Sequence, residues 1–344
     1  MVKEIYSGKV GRHHCQGIAV DEAGGYIYYS FTTSLVKCTL DGRTVGSVEN
    51  IAGHLGCIVY DSRTRRIYAS LEYKHDAIGK GILGKDYRQV DEGFYIAIFD
   101  GDKIDRPRMD AEKDGVMRAA YLSTVFEDYS GEDFGALHNH GCSGIDGVAI
   151  GPDFGAEDGA KYLHVCYGIY GDTQRTDNDY QIILQYDTDE LYKSARPLLQ
   201  DDMHKNGPKQ PKNKYFLYTG NTCWGIQNLE YDEFSHSYIA ATYPGRKPQF
   251  PNYPMFIIDA GVRPVEAELS GLGIFGKLLT LKDTGLSQNG IFGIDFPLGS
   301  TGIYSFGDGH FYFSVPEKDA DGYQSSTVRL YRLSCEGKWS FFAV

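Results

Sequence analysis

The chain has 344 residues and a formal net charge of −12 without a Lys/Arg cluster of useful size, which excludes nonspecific binding to nucleic acid or to an anionic membrane. Its 42 Gly, 27 Tyr and 18 Phe, with apolar runs far shorter than the ~18 residues of a membrane span, describe a turn-rich, all-β protein. The start lacks the apolar core of a signal peptide, and seven cysteines without framework spacing suggest reduced thiols in a cytoplasmic protein.

In chain order, VKEIYSGKV (2–10) reads as a lone strand. GRHHCQGIAVDEAGGYIYYSF (11–31) then reads as a hairpin: a short apolar strand, a turn opened by Asp, and a second strand rich in Tyr and Ile. SLVKCTL and TVGSVENI follow as two more strands. The same order recurs from GHLGCIVYDSRTRRIYASLE (53–72), with GFYIAIFD and MRAAYLSTV after it. It recurs again from GIDGVAIGPDFGAEDGAKYLHVCYG (144–168), with YQIILQYD and KYFLYTG. A segment at 188–213 reads as solvated loop with a helical turn in DELYKSARPLL. The fourth copy is GIQNLEYDEFSHSYIAATYP (225–244), with MFIIDA and a run near GKLLTLKD. The fifth is GIFGIDFPLGSTGIYSFGDGHFYFSVP (290–316), with TVRLYRLS and KWSFFAV.

Four strands repeated five times predict a five-bladed β-propeller, each blade a four-stranded antiparallel sheet around a central channel. The expected blades are about 12–52, 53–128, 140–220, 222–284 and 288–344, with 1–11 closing the ring and sparing it a free edge. First-strand positions align at Ile18, Ile58, Val148, Leu229 and Ile294. In such blades the connections entering the inner strand and those leaving the second strand share one face, and functional residues concentrate on loops held by a rigid scaffold.

His13, His14, His54, His138 and His140 fall in the connections that enter the inner strands. His14 and His54 share a register that is Gly144, Gly225 and Gly290 elsewhere; two steps on the series is Gln16, Gly56, Asp146, Gln227 and Phe292. His14, His54 and Gln16 are therefore candidate ligands for a divalent metal, with the glycines leaving room for a ligand. The alternative is that these histidines bond to neighbouring loops in a wet channel. Glu230 and Asp295 share an inner-strand register, and with Asp146 they could form an acid and base pair; Glu72 opens the loop after the second strand of blade 2. Arg175 and Arg246 occupy equivalent loops and suit a carboxylate, while Trp224, Tyr167 and Tyr243 could stack on sugar rings. Each of these sets has a purely structural reading as well. Cys15, Cys57, Cys142 and Cys223 read as close packing near the axis, with a Cys–His nucleophile as the lesser reading.

The repeat pattern resembles the five-bladed propellers, an architecture shared by furanosidases and levansucrase-type enzymes, calcium-activated nucleotidases and tachylectin-type lectins. The resemblance to the sugar hydrolases implies three acids near the channel, for which Asp146, Glu230 and Asp295 are candidates. His and Gln on the axis are more similar to metal-dependent uronate lyases, which have more blades. The expected function is a carbohydrate-active enzyme, of lyase or glycoside hydrolase type, taking a sugar, oligosaccharide or uronate-like small molecule at the channel mouth with a divalent metal. A noncatalytic sugar-binding or interaction propeller is the alternative. A lectin with five equal sites would repeat its binding residues, whereas here they differ from blade to blade and favour one central site.

Overall fold

The computed structural model describes residues 1–84, 90–156 and 159–344. It is a five-bladed β-propeller built from small, mainly antiparallel sheets in a ring. Blade 1 runs outward through Cys15–Asp21, Tyr26–Phe31, Ser34–Thr39 and Thr44–Glu49. Blade 2 uses His54–Asp61, Arg66–Tyr73, Gly93–Asp100 and Met117–Tyr121, and blade 3 uses Cys142–Pro152, Lys161–Ile169, Tyr180–Tyr186 and Asn213–Tyr218. Blade 4 has Thr222–Asp232, Ser237–Pro244 and Met255–Asp259, and blade 5 has Ile303–Ser305, His310–Lys318 and Gln324–Ser334. Glu4–Tyr6 and Ser340–Ala343 lie end to end on the outer edge of Gln324–Ser334, so the ring is closed by strands from opposite ends of the chain.

Local chemistry sets the hairpins. Asp21, Asp61 and Asp232 each open a turn by accepting a backbone N–H two or three residues on, from Gly24, Arg63 and Ser235. Four residues after each Asp the chain turns left-handed, at Gly25, Arg65 and His236. The core is five apolar wedges, one between each pair of neighbouring blades. Tyr28 and Tyr68 are fully buried in such wedges, which explains why second strands are so rich in tyrosine. Buried serines of the second strands tie one blade to the next: Ser30 Oγ donates to Gly56 O at 2.7 Å and Ser70 Oγ to Asp146 O at 2.6 Å.

Three expectations need correction. The inner strand of blade 5 is Ile303–Ser305, not the run around Ile294. Ile291–Gly293 pairs with Leu286–Gln288, and Ile294 bridges to Met255 at the edge of blade 4. Aligned on Ile303, the blade 5 equivalents of His14 and Gln16 are Gly299 and Thr301. Second, GKLLTLKD is divided: Ile274–Leu278 pairs in parallel with Asn213–Tyr218 of blade 3, while Leu281 bridges to Ile258 of blade 4. Third, the 188–213 segment is not free surface. It contains a short helix (Thr188–Ser194), after which Arg196 exchanges two backbone bonds with Ala119 on the outer strand of blade 2, the Asn206 carbonyl accepts the Tyr121 N–H, and Leu198 is wholly buried.

At the centre the five inner strands meet at one register: Gly17, Cys57, Gly147, Asn228 and Gly302. A Cβ on Gly17 would lie 2.9 Å from the Ile58 nitrogen, and one on Gly147 would lie 2.9 Å from the Ile226 oxygen, so side chains have no room there. Asn228 and Cys57 are the exceptions, and Asn228 fills the axis. Its Nδ2 donates to Gln16 O at 2.9 Å and Ser300 O at 3.0 Å, and its Oδ1 accepts from Cys57 Sγ at 3.1 Å. One buried amide thus joins blade 4 to blades 5, 1 and 2. Asn228→Ala leaves two carbonyls unpaired beside a void and should cost about 2–4 kcal/mol in urea unfolding. Asn228→Asp, which donates to neither carbonyl when ionised, should be at least as damaging.

Candidate active site

The mouth entered by His14 and His54 gathers one compact ionic cluster. His54 and Glu72 are direct partners across the inner two strands of blade 2, and both are buried. His54 Nδ1 lies 3.3 Å from Glu72 Oε1 and 4.0 Å from Asp146 Oδ1 of blade 3. Lys74, the residue after the strand, is buried and forms an ion pair with the Glu72 carboxylate; its Nζ also donates to Ser143 O at 2.9 Å and stands 3.6 Å from Asp76 Oδ2. Asp76 caps helix α1 (Ala77–Leu83) through the N–H groups of Ile78 and Gly79, which anchors the loop that carries Lys74. The second Glu72 oxygen accepts the Ile145 N–H at 3.1 Å.

The two acids are driven apart. Burial alone would raise both, but Lys74 and then His54 hold the Glu72 carboxyl below its ordinary value. Asp146 has no such cation to itself. Burial, and then the charge on Glu72, push its carboxyl up to about 7, although Gln227 Nε2 donates to its Oδ2 at 3.0 Å. Glu72 is therefore ionised and Asp146 carries a proton near neutral pH, both beside the Nδ1 of one imidazole. Burial and the neighbouring His54 and His13 hold His14 below its ordinary value.

Above the cluster lies an aromatic rim. Trp224 is 39% exposed and sits at φ 68°, in a left-handed conformation that tryptophan adopts only at a cost on the order of 1–3 kcal/mol. Its ring meets that of Tyr170 edge-on at 5.7 Å, and its carbonyl accepts from Gln227 Nε2 at 2.7 Å. A cleft of ≈ 390 Å³ beside His14 is lined by Tyr243, Gly299, Ser300 and Thr301.

The other candidates fall elsewhere. Glu230 faces the far end of the axis, and Asp295 is exposed outside the strands, so the three acids Asp146, Glu230 and Asp295 are not brought together. Arg175 is spent: it grips Asp177 with two bonds of 2.8 and 2.7 Å and donates to the Leu137 and His138 carbonyls. Arg246 is exposed on the blade 4 loop. Tyr167 is buried with its hydroxyl on Asp128 at 2.6 Å and offers no face to a sugar. His140 is buried between Phe134 and Phe216, and burial lowers it to about 4. Burial raises the Cys15 thiol to about 11 and the Cys57 thiol to about 12, which removes both as nucleophiles.

Two aligned glycines make room for protein rather than ligand. A Cβ on Gly144 would lie 2.0 Å from Glu72 Oε2, and one on Gly225 would lie 2.3 Å from the Tyr167 carbonyl. The proposed metal donors fit poorly as a set. His14 Nε2, a nitrogen it would turn to a metal, lies 3.2 Å from Gln16 Nε2, which also donates to Thr32 Oγ1 at 3.1 Å, and Lys74 holds the carboxylate nearest His54. Among the described residues no group of three or more His, Cys, Asp or Glu side chains is arranged to hold a metal ion. Sequence reasoning missed the Lys74 pairing and Asn228. The signal for Asn228 was its place in a register otherwise occupied by glycine and cysteine.

No family model matches the chain, and no curated protein matches it. Similar solved structures include native arabinanase Arb43A of Bacillus subtilis, 11% identical over 95% of this chain and 97% of that one, with a TM-score of 0.41. The GH43 β-1,3-galactosidase BT3683 with galactodeoxynojirimycin is 13% identical over 98% and 97%, with a TM-score of 0.43. The PQQ-bound aldose sugar dehydrogenase of Streptomyces coelicolor is 10% identical over 93% and 95%, with a TM-score of 0.35. Likeness at this level assigns no residue of this chain a role.

The raised Asp146 carboxyl has a consequence for stability. Between its unfolded value near 3.9 and about 7, the folded chain keeps a proton that the unfolded chain has lost, so this group's contribution to stability falls as pH rises through that window and is constant above it. Asp146→Asn removes the burden. The variant should gain on the order of a few kcal/mol over the parent at pH 8, and the gain should vanish towards pH 4. Paired thermal melts across pH 4–8 measure it. A variant destabilised at pH 8 would show instead that Asp146 is ionised and paired.

Proposed function

We propose that the chain is an acid–base enzyme acting on a sugar or uronate-like small molecule at the axial mouth. One observation carries this reading: a carboxylate held ionised by Lys74 and a carboxyl raised to about 7 lie beside the Nδ1 of the same imidazole, at 3.3 and 4.0 Å. Such a division of two acids by environment supplies a base and an acid at one pH.

In this reading His54 is the general base. Glu72 lies 3.3 Å from its Nδ1, leaving Nε2 to meet the substrate. Asp146 is the general acid, steadied by Gln227. In a uronate, His54 takes the proton alpha to the carboxylate, the carbon–oxygen bond at the beta carbon breaks as the double bond forms, and Asp146 delivers its proton to the departing oxygen. Trp224, Tyr170 and Tyr243 would receive the flat faces of the sugar. With Glu230 at the far end of the axis and Asp295 exposed outside the inner strands, elimination suits this site better than hydrolysis by three acids. A reducing, cytoplasmic setting suits the seven free thiols.

The test is turnover of oligouronides, followed by the ultraviolet absorbance of the unsaturated product. His54→Ala and Asp146→Asn should each lower kcat by ~10²–10⁴-fold. Activity should fall as pH rises through about 7, where Asp146 loses its proton, and dialysis against a chelator should leave it unchanged. Full turnover in both variants would sink the proposal. Oligouronide binding without turnover in the parent protein would leave the noncatalytic sugar-binding reading in its place.

A further inference from the structure

A cavity larger than the cleft beside His14 lies at the other end of the axis. It has a volume of ≈ 530 Å³ and opens on the far side of the ring made by Gly17, Cys57, Gly147, Asn228 and Gly302. All five inner strands contribute to its floor: Ala19, Val59 and Ile150 are apolar, Tyr304 is a phenol and Glu230 an acid, while Asp61, Lys161, Asp187 and Asp189 stand around them. The position one step beyond Leu229 is alanine or valine in blades 1, 2 and 3, so a carboxyl there is a departure from the repeat.

Glu230 is poorly served by the protein. Its Oε1 accepts the Ser305 N–H at 2.9 Å, and among the described residues no cation or second donor reaches the carboxyl. The nearest charges do not help. Asp232 is an acid engaged by Ser305 Oγ and the Ser235 N–H, and the Tyr304 hydroxyl is turned away to Glu22 at 2.8 Å. Arg63, on the cavity rim, is paired with Asp189 at 2.8 Å and stands 3.7 Å from Asp61. An inner-strand carboxyl without a counter-charge is costly to ionise. Burial, with Asp232 as a lesser cause, pushes Glu230 up to about 8.

We propose that this cavity is a second binding site, for a small organic cation: an ammonium group on the Glu230 carboxylate and an apolar body against Ala19, Val59 and Ile150. The ligand supplies the counter-charge that the fold withholds. Beside Glu230, Ala19, Val59 and Ile150 give an alkyl or cycloalkyl amine an apolar contact that a hydrated metal ion cannot use. The site is separated from the mouth by the closed ring, so it does not depend on the sugar-directed chemistry proposed there.

Titration calorimetry with cyclohexylammonium chloride tests this, with cyclohexanol and calcium chloride as comparisons. Saturable binding of the amine and none of cyclohexanol is expected. At pH 7, repeating the titration in buffers of different ionisation enthalpy should reveal release of a proton, because Glu230 is mostly protonated when free and ionised when paired. Glu230→Gln retains the shape of the side chain and should weaken the amine by roughly 10–100-fold while the variant melts no lower than the parent. Val59→Phe, which fills the floor, should also abolish binding. Absence of amine binding by the parent protein, binding unchanged in Glu230→Gln, or calcium binding in preference to the amine would each overturn the proposal.

Discussion

Five inner strands converge on one axis so closely that only backbone, one amide and one thiol fit where they cross. This contact is the constraint on which the rest depends. Gly17, Gly147 and Gly302 are there because a Cβ would strike the neighbouring blade, and Asn228 is tolerated because its amide meets the carbonyls of Gln16 and Ser300 and the thiol of Cys57. The crossing also converts a channel into two separate funnels. Asp146 and Glu230 belong to opposite funnels, and each is raised chiefly by burial where the strands narrow.

The mouth is governed by a shortage of positive charge. Glu72 and Asp146 lie beside the same imidazole, but Lys74 is committed to Glu72 by its ion pair and by the Ser143 carbonyl. A buried pair of this kind contributes little to net stability, because desolvation offsets most of the attraction. Its effect here is to decide which carboxyl is ionised. The Lys74 side chain thereby assigns the protonation of Asp146, a residue to which it is not paired. Gly144 is part of the same device: its missing side chain is the space in which the Glu72 carboxylate lies.

The five-fold repeat, and hence the fold, was legible because each hairpin repeats a tyrosine-bearing second strand and three of them an Asp-opened turn. Blade 5 misled because GIFGID has the same local pattern as GIDGVA and GIQNLE, whereas the true inner strand, Ile303–Ser305, is too short to announce itself. Long-range pairing decided between them. In the site, His54 and Asp146 were readable from register. Counting outward from the Asp61–Arg66 pair would set Glu72 opposite Leu55; an irregularity between Leu55 and Ile58 shifts it to His54, and no sequence pattern marks that slip. Arg175 looked available because nothing local shows that two carbonyls and Asp177 already occupy its guanidinium.

The blades are not equally independent. Val265–Leu269 and Ile274–Leu278 follow the third strand of blade 4 in the chain, yet they extend the sheet of blade 3, before Leu281 returns to pair with Ile258. The two blades are laced through each other's edges. A repeat protein grows or shrinks by copying one unit at a time, and that route is open only where a unit begins and ends within its own sheet. Between residues 142 and 284 the heritable module is a pair, so recombination that gained or lost a single blade there would leave one sheet with a foreign edge and its neighbour without one.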